Sequence, residues 1–155
     1  MEILQQVRVG LNEALGVELI VINQSFLHAR MLKHWSYEKL ANIVYKRSIQ
    51  IMRTSDELIQ RLFILEGLPN LQKLGKLLIG QTVPEILNCD LELEFQLQRS
   101  LTDGINNCEL DGDYVSQALL INHLKDSETH ANLLEEQLGV LEVIGLEDYL
   151  ESLVS

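Results

Sequence analysis

Cysteine is nearly absent from this chain, with only Cys89 and Cys108 in 155 residues. If both lie on one helix, their spacing of 19 residues corresponds to about 28 Å, far beyond the ~7 Å Cα limit of a disulfide. A disulfide scaffold is therefore excluded, and a reducing cytoplasm is the expected compartment. Basic residues are also scarce, 12 Lys and Arg against 23 Asp and Glu, for a formal charge of −11 with no dense basic block. No nucleic-acid partner is expected, since phosphate binding needs a basic face, whereas an acidic surplus suits either solubility or the handling of cations. Long apolar runs are missing too, the longest being short stretches such as Leu19 to Ile22, and Met1-Glu2 opens without a basic, then apolar, leader pattern. Neither a signal peptide nor a membrane span is expected. No Gly-rich phosphate loop or nucleophile triad is found.

What is present is helical recurrence. With 46% hydrophobic residues, the chain can build one sizeable core, and residues 1–155 read as a single domain. Leu4 to Trp35 carries Leu11, Leu15, Leu19, Ile22, Phe26 and Met31 at helical intervals, and Glu18 sits inside that run. A second helix is expected from Tyr37 to Glu66, closed by Gly67, with Pro69 as a stop signal. Residues 67–81 then form a connection longer than a tight turn needs. Thr82 is placed to cap a third helix running from Pro84 to about Leu110. Asp111-Gly112-Asp113 breaks the pattern before a fourth helix from Tyr114 to about Leu138, with Gly139 and Gly145 bracketing its end. Leu146 to Leu153 reads as a short fifth helix. Four long helices with a crossover between the second and third predict an all-α, ferritin-like four-helix bundle.

The second helix has two working sides. At about 100° per residue, Arg47, Ile51 and Thr54 share the bundle-facing side, while Tyr45, Ile49, Met52 and Asp56 point the other way. Leu19, Ile22, Asn23 and Phe26 form a comparable stripe on the first helix. His28, His34 and His123 show no common spacing that suggests a metal cluster, and no role is assigned to them.

The stretches Gly16-Val17-Glu18-Leu19-Ile20-Val21-Ile22-Asn23-Gln24-Ser25-Phe26-Leu27-His28-Ala29-Arg30-Met31, then Phe63-Ile64-Leu65-Glu66-Gly67-Leu68-Pro69-Asn70-Leu71-Gln72-Lys73-Leu74-Gly75-Lys76, then Asp113-Tyr114-Val115-Ser116, closely resemble the bacterioferritin family over nearly the whole chain. The resemblance implies a hollow twenty-four-subunit shell that stores ferric mineral, a ferroxidase di-iron centre inside each bundle, and haem b between paired subunits. Such a di-iron centre takes one Glu from each of two helices and a Glu-x-x-His from each of the other two. Glu18 and Glu94 fill the single-Glu positions and His130 remains. Ile51, Thr54 and Ser127 stand where the family carries Glu, His and Glu. Asp126 and Glu128 flank the last gap but lie about 100° around the helix from it. Two readings stand for Glu18, Glu94 and His130, a hydrogen-bonded polar relic or a single weakly held metal. Arg47 likewise either offsets Glu18 or Glu94, or reaches solvent at the bundle edge. Lys46 and Gln50 weaken iron attraction at positions that often face the storage cavity.

For haem, the resemblance makes Met52 the axial ligand, one from each of two chains on a two-fold axis. It makes Leu19, Ile22, Asn23, Phe26, Tyr45, Ile49, Arg53 and Asp56 the pocket walls, with Arg53 placed for a propionate. The expectation is a haem-bearing iron-storage subunit without a competent ferroxidase centre. Such a subunit would assemble with a di-iron type of bacterioferritin chain and take electrons from a small redox protein for iron release. The alternatives are a homopolymeric storage shell without fast ferroxidase activity, and a structural or haem-buffering dimer.

Overall fold

A computed structural model describes residues 2–71 and 75–154, so that Gln72, Lys73 and Leu74 of the second quoted stretch lie outside the described residues. Five helices follow in order: α1 (Glu2–His34), α2 (Glu38–Ile64), α3 (Val83–Asp111), α4 (Tyr114–Ile144) and α5 (Leu146–Leu153). Hydrogen bonds between helices set their directions. Ser48 Oγ donates to the Ile22 carbonyl and Arg8 Nε to that of Leu65, so α1 and α2 are antiparallel. Gln24 meets Asp90 while Gly10 lies against Gly104, so α1 and α3 are antiparallel as well. Helices α2 and α3 are therefore parallel, which no short turn can join, and residues 65–82 supply the crossover. Helix α1 packs on α2 and α3, and α4 on α3 and α2. The pairs α1 with α4 and α2 with α3 face each other across the diagonals.

The helix ends follow local chemistry, with two departures from expectation. Thr82 Oγ1 accepts from the Glu85 N–H at 3.3 Å and Pro84 lies in the first turn of α3, as expected. At the end of α2, however, the left-handed residue is Glu66 (φ 59°) and not Gly67. Glu66 N–H reaches the Phe63 carbonyl and Gly67 N–H the Leu62 carbonyl, which closes the helix. A Cβ at Gly67 would stand 3.3 Å from Leu62 Cδ2 and 3.4 Å from Arg8, so a larger residue would require those side chains to shift slightly. Helix α4 does not stop near Leu138 but continues through Gly139 to Ile144, where Gly145 (φ 86°) turns the chain. A single glycine costs a helix only about 1 kcal/mol, and the surrounding turns outweigh it.

The core is apolar at both ends and polar in the middle. One cluster gathers Leu11, Leu15, Ile51, Leu58, Leu97 and Leu120, and the other Leu32, Leu40, Val44, Ile86, Leu87 and Leu134. Between them each long helix contributes buried polar side chains: Glu18, Gln24 and His28; Arg47, Thr54 and Ser55; Asp90 and Glu94; His123, Ser127 and His130. Buried polar groups are costly unless partnered, and most of these are partnered. Part of this belt holds the crossover. Gln24 Nε2 and His28 Nδ1 both meet Asp90 Oδ1, at 2.9 and 2.8 Å. On their other sides Gln24 Oε1 accepts from Leu78 N–H and His28 Nε2 from Gly80 N–H.

His28 is therefore the Nδ1–H tautomer, bridging a carboxylate to a backbone amide. His28→Phe should destabilise the subunit by about 2–4 kcal/mol, because it leaves Asp90 and the Gly80 N–H short of partners in the core. Thermal unfolding measures the loss, and amide exchange at Leu78 and Gly80 should accelerate well beyond that of α3. Unchanged exchange at Gly80 would show that the clamp does not hold the crossover.

Candidate functional site

The polar belt is where a bundle of this kind would keep its metal, and protein groups fill it. Arg47 is only 2% exposed. It donates from Nε to Glu94 Oε2 at 2.9 Å and from Nη2 to Glu94 Oε1 at 2.6 Å, a bidentate pair across the α2–α3 diagonal. Its Nη1 donates to Gln50 Oε1 at 2.9 Å. Ser127 Oγ reaches Glu94 Oε1 at 2.8 Å, and Gln98 Nε2 donates to Ser127 Oγ at 3.3 Å. Both oxygens of Glu94 are thus occupied by this chain's own donors.

Glu18 is engaged in the same way. Ser55 Oγ and Thr54 Oγ1 lie 3.1 and 3.4 Å from its Oε1, and His123 Nδ1 is 2.6 Å from its Oε2, across the α1–α4 diagonal. Ile51 is buried in the neighbouring apolar cluster and offers no ligand atom. Burial holds the His130 imidazole below its ordinary value of 6.5, while Glu94 pulls it up, Arg47 pushes it down and Asp90 pulls it up. The unfolded chain then takes up a proton that the folded chain resists. This contribution to stability is present above the unfolded value of about 6.5 and is lost as pH falls below it. His130→Gln should flatten the acid limb of a stability profile recorded from about pH 7 to about pH 5. An unchanged limb would assign it to other groups.

Arg47 takes Glu94 and reaches neither Glu18 nor solvent. Asp126 is half-buried and Glu128 exposed, and Ser127 is the residue of that turn that meets Glu94. Among the described residues no three His, Cys, Asp or Glu side chains converge as a metal-binding group. The residues present do not fit a paired-iron centre. Its place holds a guanidinium, an isoleucine and two hydroxyls. His123, given no role from its spacing, is the partner of Glu18. The usable signal was the run His123, Ser127 and His130, which shares one face of α4 at i, i+4, i+7 and is polar where a core-facing stripe should be apolar.

On the opposite side of α2, Met52 is 48% exposed, Tyr45 38% and, on α1, Phe26 44%. Leu19, Ile22 and Ile49 are half-buried, and Asn23, Arg53 and Asp56 exposed. The Ser48 bond to the Ile22 carbonyl sets the register that places the two stripes side by side. Arg30, which spacing did not single out, lies over the Phe26 ring at 5.2 Å and the Tyr45 ring at 5.4 Å and ties the stripes together. An exposed thioether among partly exposed apolar side chains fits a flat apolar ligand with a soft metal, provided a second surface covers its other face. Cys89 and Cys108 are both free, and burial pushes the Cys108 thiol up to about 11. No helix among the described residues is long and apolar enough to cross a membrane.

Comparison with known proteins agrees with this architecture. A family model for the ferritin-like domain matches residues 9–144. The chain is 43% identical over 139 residues to a bacterioferritin of Brucella melitensis, covering 90% of this chain and 86% of that one. It is 39% identical over 145 residues to a bacterioferritin of Mycobacterium tuberculosis, covering 94% and 91%. It is 38% identical over 146 residues to a bacterial ferritin of Synechocystis, covering 94% of both. With the crossover bundle and these matches over nearly its whole length, the chain belongs to the ferritin-like family, among the bacterioferritins.

Proposed function

We propose that this chain is an iron-storage subunit that carries haem b through Met52 at a two-fold subunit interface and has no competent ferroxidase centre of its own. Iron storage follows from membership among the bacterioferritins. The finer reading is supported above all by the Arg47–Glu94 pair, in which a fixed protein cation occupies the carboxylate that ferrous iron would need. Iron is the substrate of such a shell. A second set of ligands would have to displace a buried guanidinium to hold it, and Ile51, Thr54 and Ser127 supply none.

On the outer face, Met52 would ligate and Leu19, Ile22, Phe26, Tyr45 and Ile49 would wall the macrocycle, while Asn23, Arg53 and Asp56 stand at the polar rim. Haem b bound there would supply a one-electron couple for reducing stored ferric iron. Protein supplied with haem should show a low-spin bis-thioether spectrum at about half a haem per chain, since two Met52 side chains share one iron. Met52→Leu should abolish that spectrum, and its retention would remove the assignment.

A subunit that keeps Met52 while its bundle centre is closed to iron fits a mixed twenty-four-subunit cytoplasmic shell. Another bacterioferritin chain would oxidise iron there, and a small redox protein would feed electrons to this one. Such a partner should co-purify from the native host, and mixed shells should take up iron faster than shells of this chain alone. Native shells that contain only this chain and load iron normally would replace the division of labour with homopolymeric storage.

A further inference from the structure

His123 has one nitrogen committed and one idle. Its Nδ1 donates to Glu18 Oε2 at 2.6 Å, and Ser55 Oγ donates to the other oxygen of that carboxylate at 3.1 Å. Its Nε2 is buried without a hydrogen-bond partner. The group facing it is Glu57 of α2, whose Oε1 lies 3.8 Å away on a side chain 53% exposed. That distance is too long for a hydrogen bond, yet it falls within the span of two coordination bonds of about 2.1 Å meeting at one ion. A carboxylate behind an imidazole, fixing its tautomer and turning a lone pair outward, is the arrangement that supports histidine ligands in metal sites.

We infer that His123 Nε2 and Glu57 form a binding site for one divalent transition-metal ion, with Glu18 serving as the carboxylate that orients the imidazole. The site is separate from the Arg47–Glu94 centre, and Glu18 plays a different part in it from that of a direct iron ligand. Neither haem nor mixed assembly enters, so it stands apart from the function proposed above. The half-exposed Glu57 gives an ion access and lets water complete the coordination. Only two protein ligands converge, so binding is weak and exchangeable, as suits an ion in transit.

Assembled, metal-free protein titrated with Co2+ tests this, read by calorimetry and by the visible ligand-field bands of the ion. The wild type should bind about one Co2+ per chain more than Glu57→Gln, a change on a half-exposed side chain that leaves the core intact. His123→Gln keeps an amide N–H for Glu18 but has no imidazole lone pair, and should lose the same ion. Glu18→Gln should weaken it by about 10–100-fold, the usual cost of losing an orienting partner. Equal binding by the wild type and Glu57→Gln overturns the proposal, as does loss in Glu57→Gln with full retention in a folded His123→Gln. If His123→Gln does not fold, the Glu57→Gln comparison decides alone.

Discussion

Arg47→Ala should destabilise the subunit by about 3–5 kcal/mol, a large share of the stability of a domain of this size. The loss does not measure the attraction between Arg47 and Glu94. It arises because Glu94, itself only 2% exposed, would keep a carboxylate in the core with Ser127 Oγ as its nearest remaining donor. Gln50 would lose its bond to Nη1 as well. Replacing both partners by apolar residues of similar size, Arg47→Met with Glu94→Leu, should cost less than either single change, because no uncompensated charge is left behind. Chemical denaturation of the three variants gives the comparison. A single-variant loss below about 1 kcal/mol would mean that solvent reaches Glu94 freely, and the closed centre would not describe the protein.

Shells of this chain alone should lack the fast oxygen-dependent phase of ferrous oxidation and show only slow oxidation. Paired iron needs carboxylates and imidazole on converging faces, and the belt offers Glu18 and Glu94 with their oxygens already taken. Restoring ligand types does not suffice. Ile51→Glu, Thr54→His and Ser127→Glu together should still give no fast phase while Arg47 holds both oxygens of Glu94. Adding Arg47→Ala to those three should be the change that allows it. Stopped-flow oxidation under excess oxygen reads each case. A burst of about two ferrous ions per chain in the unmodified protein would show that the centre is competent after all.

The sequence by itself determined what depends on neighbours a few residues apart. Helical periodicity located four long helices and a crossover, Thr82 and Pro84 marked the start of α3, and the two faces of α2 separated Ile51 and Thr54 from Met52 and Tyr45. These features follow from about 100° per residue and from the backbone needs of helix ends, both local properties. Where local rules nearly balance, the boundary moved, as with Glu66 taking the left-handed position beside Gly67 and α4 running through Gly139. Only the tertiary structure decided the partners. Arg47 could face either carboxylate from sequence alone, and His123 had no evident use. Their bonds join residues 47 and 105 positions apart across the two diagonals of the bundle. Which diagonal group a side chain meets depends on the register of helices that share no turn. That register is set collectively, by the apolar clusters above and below the belt and by contacts such as Ser48 to the Ile22 carbonyl.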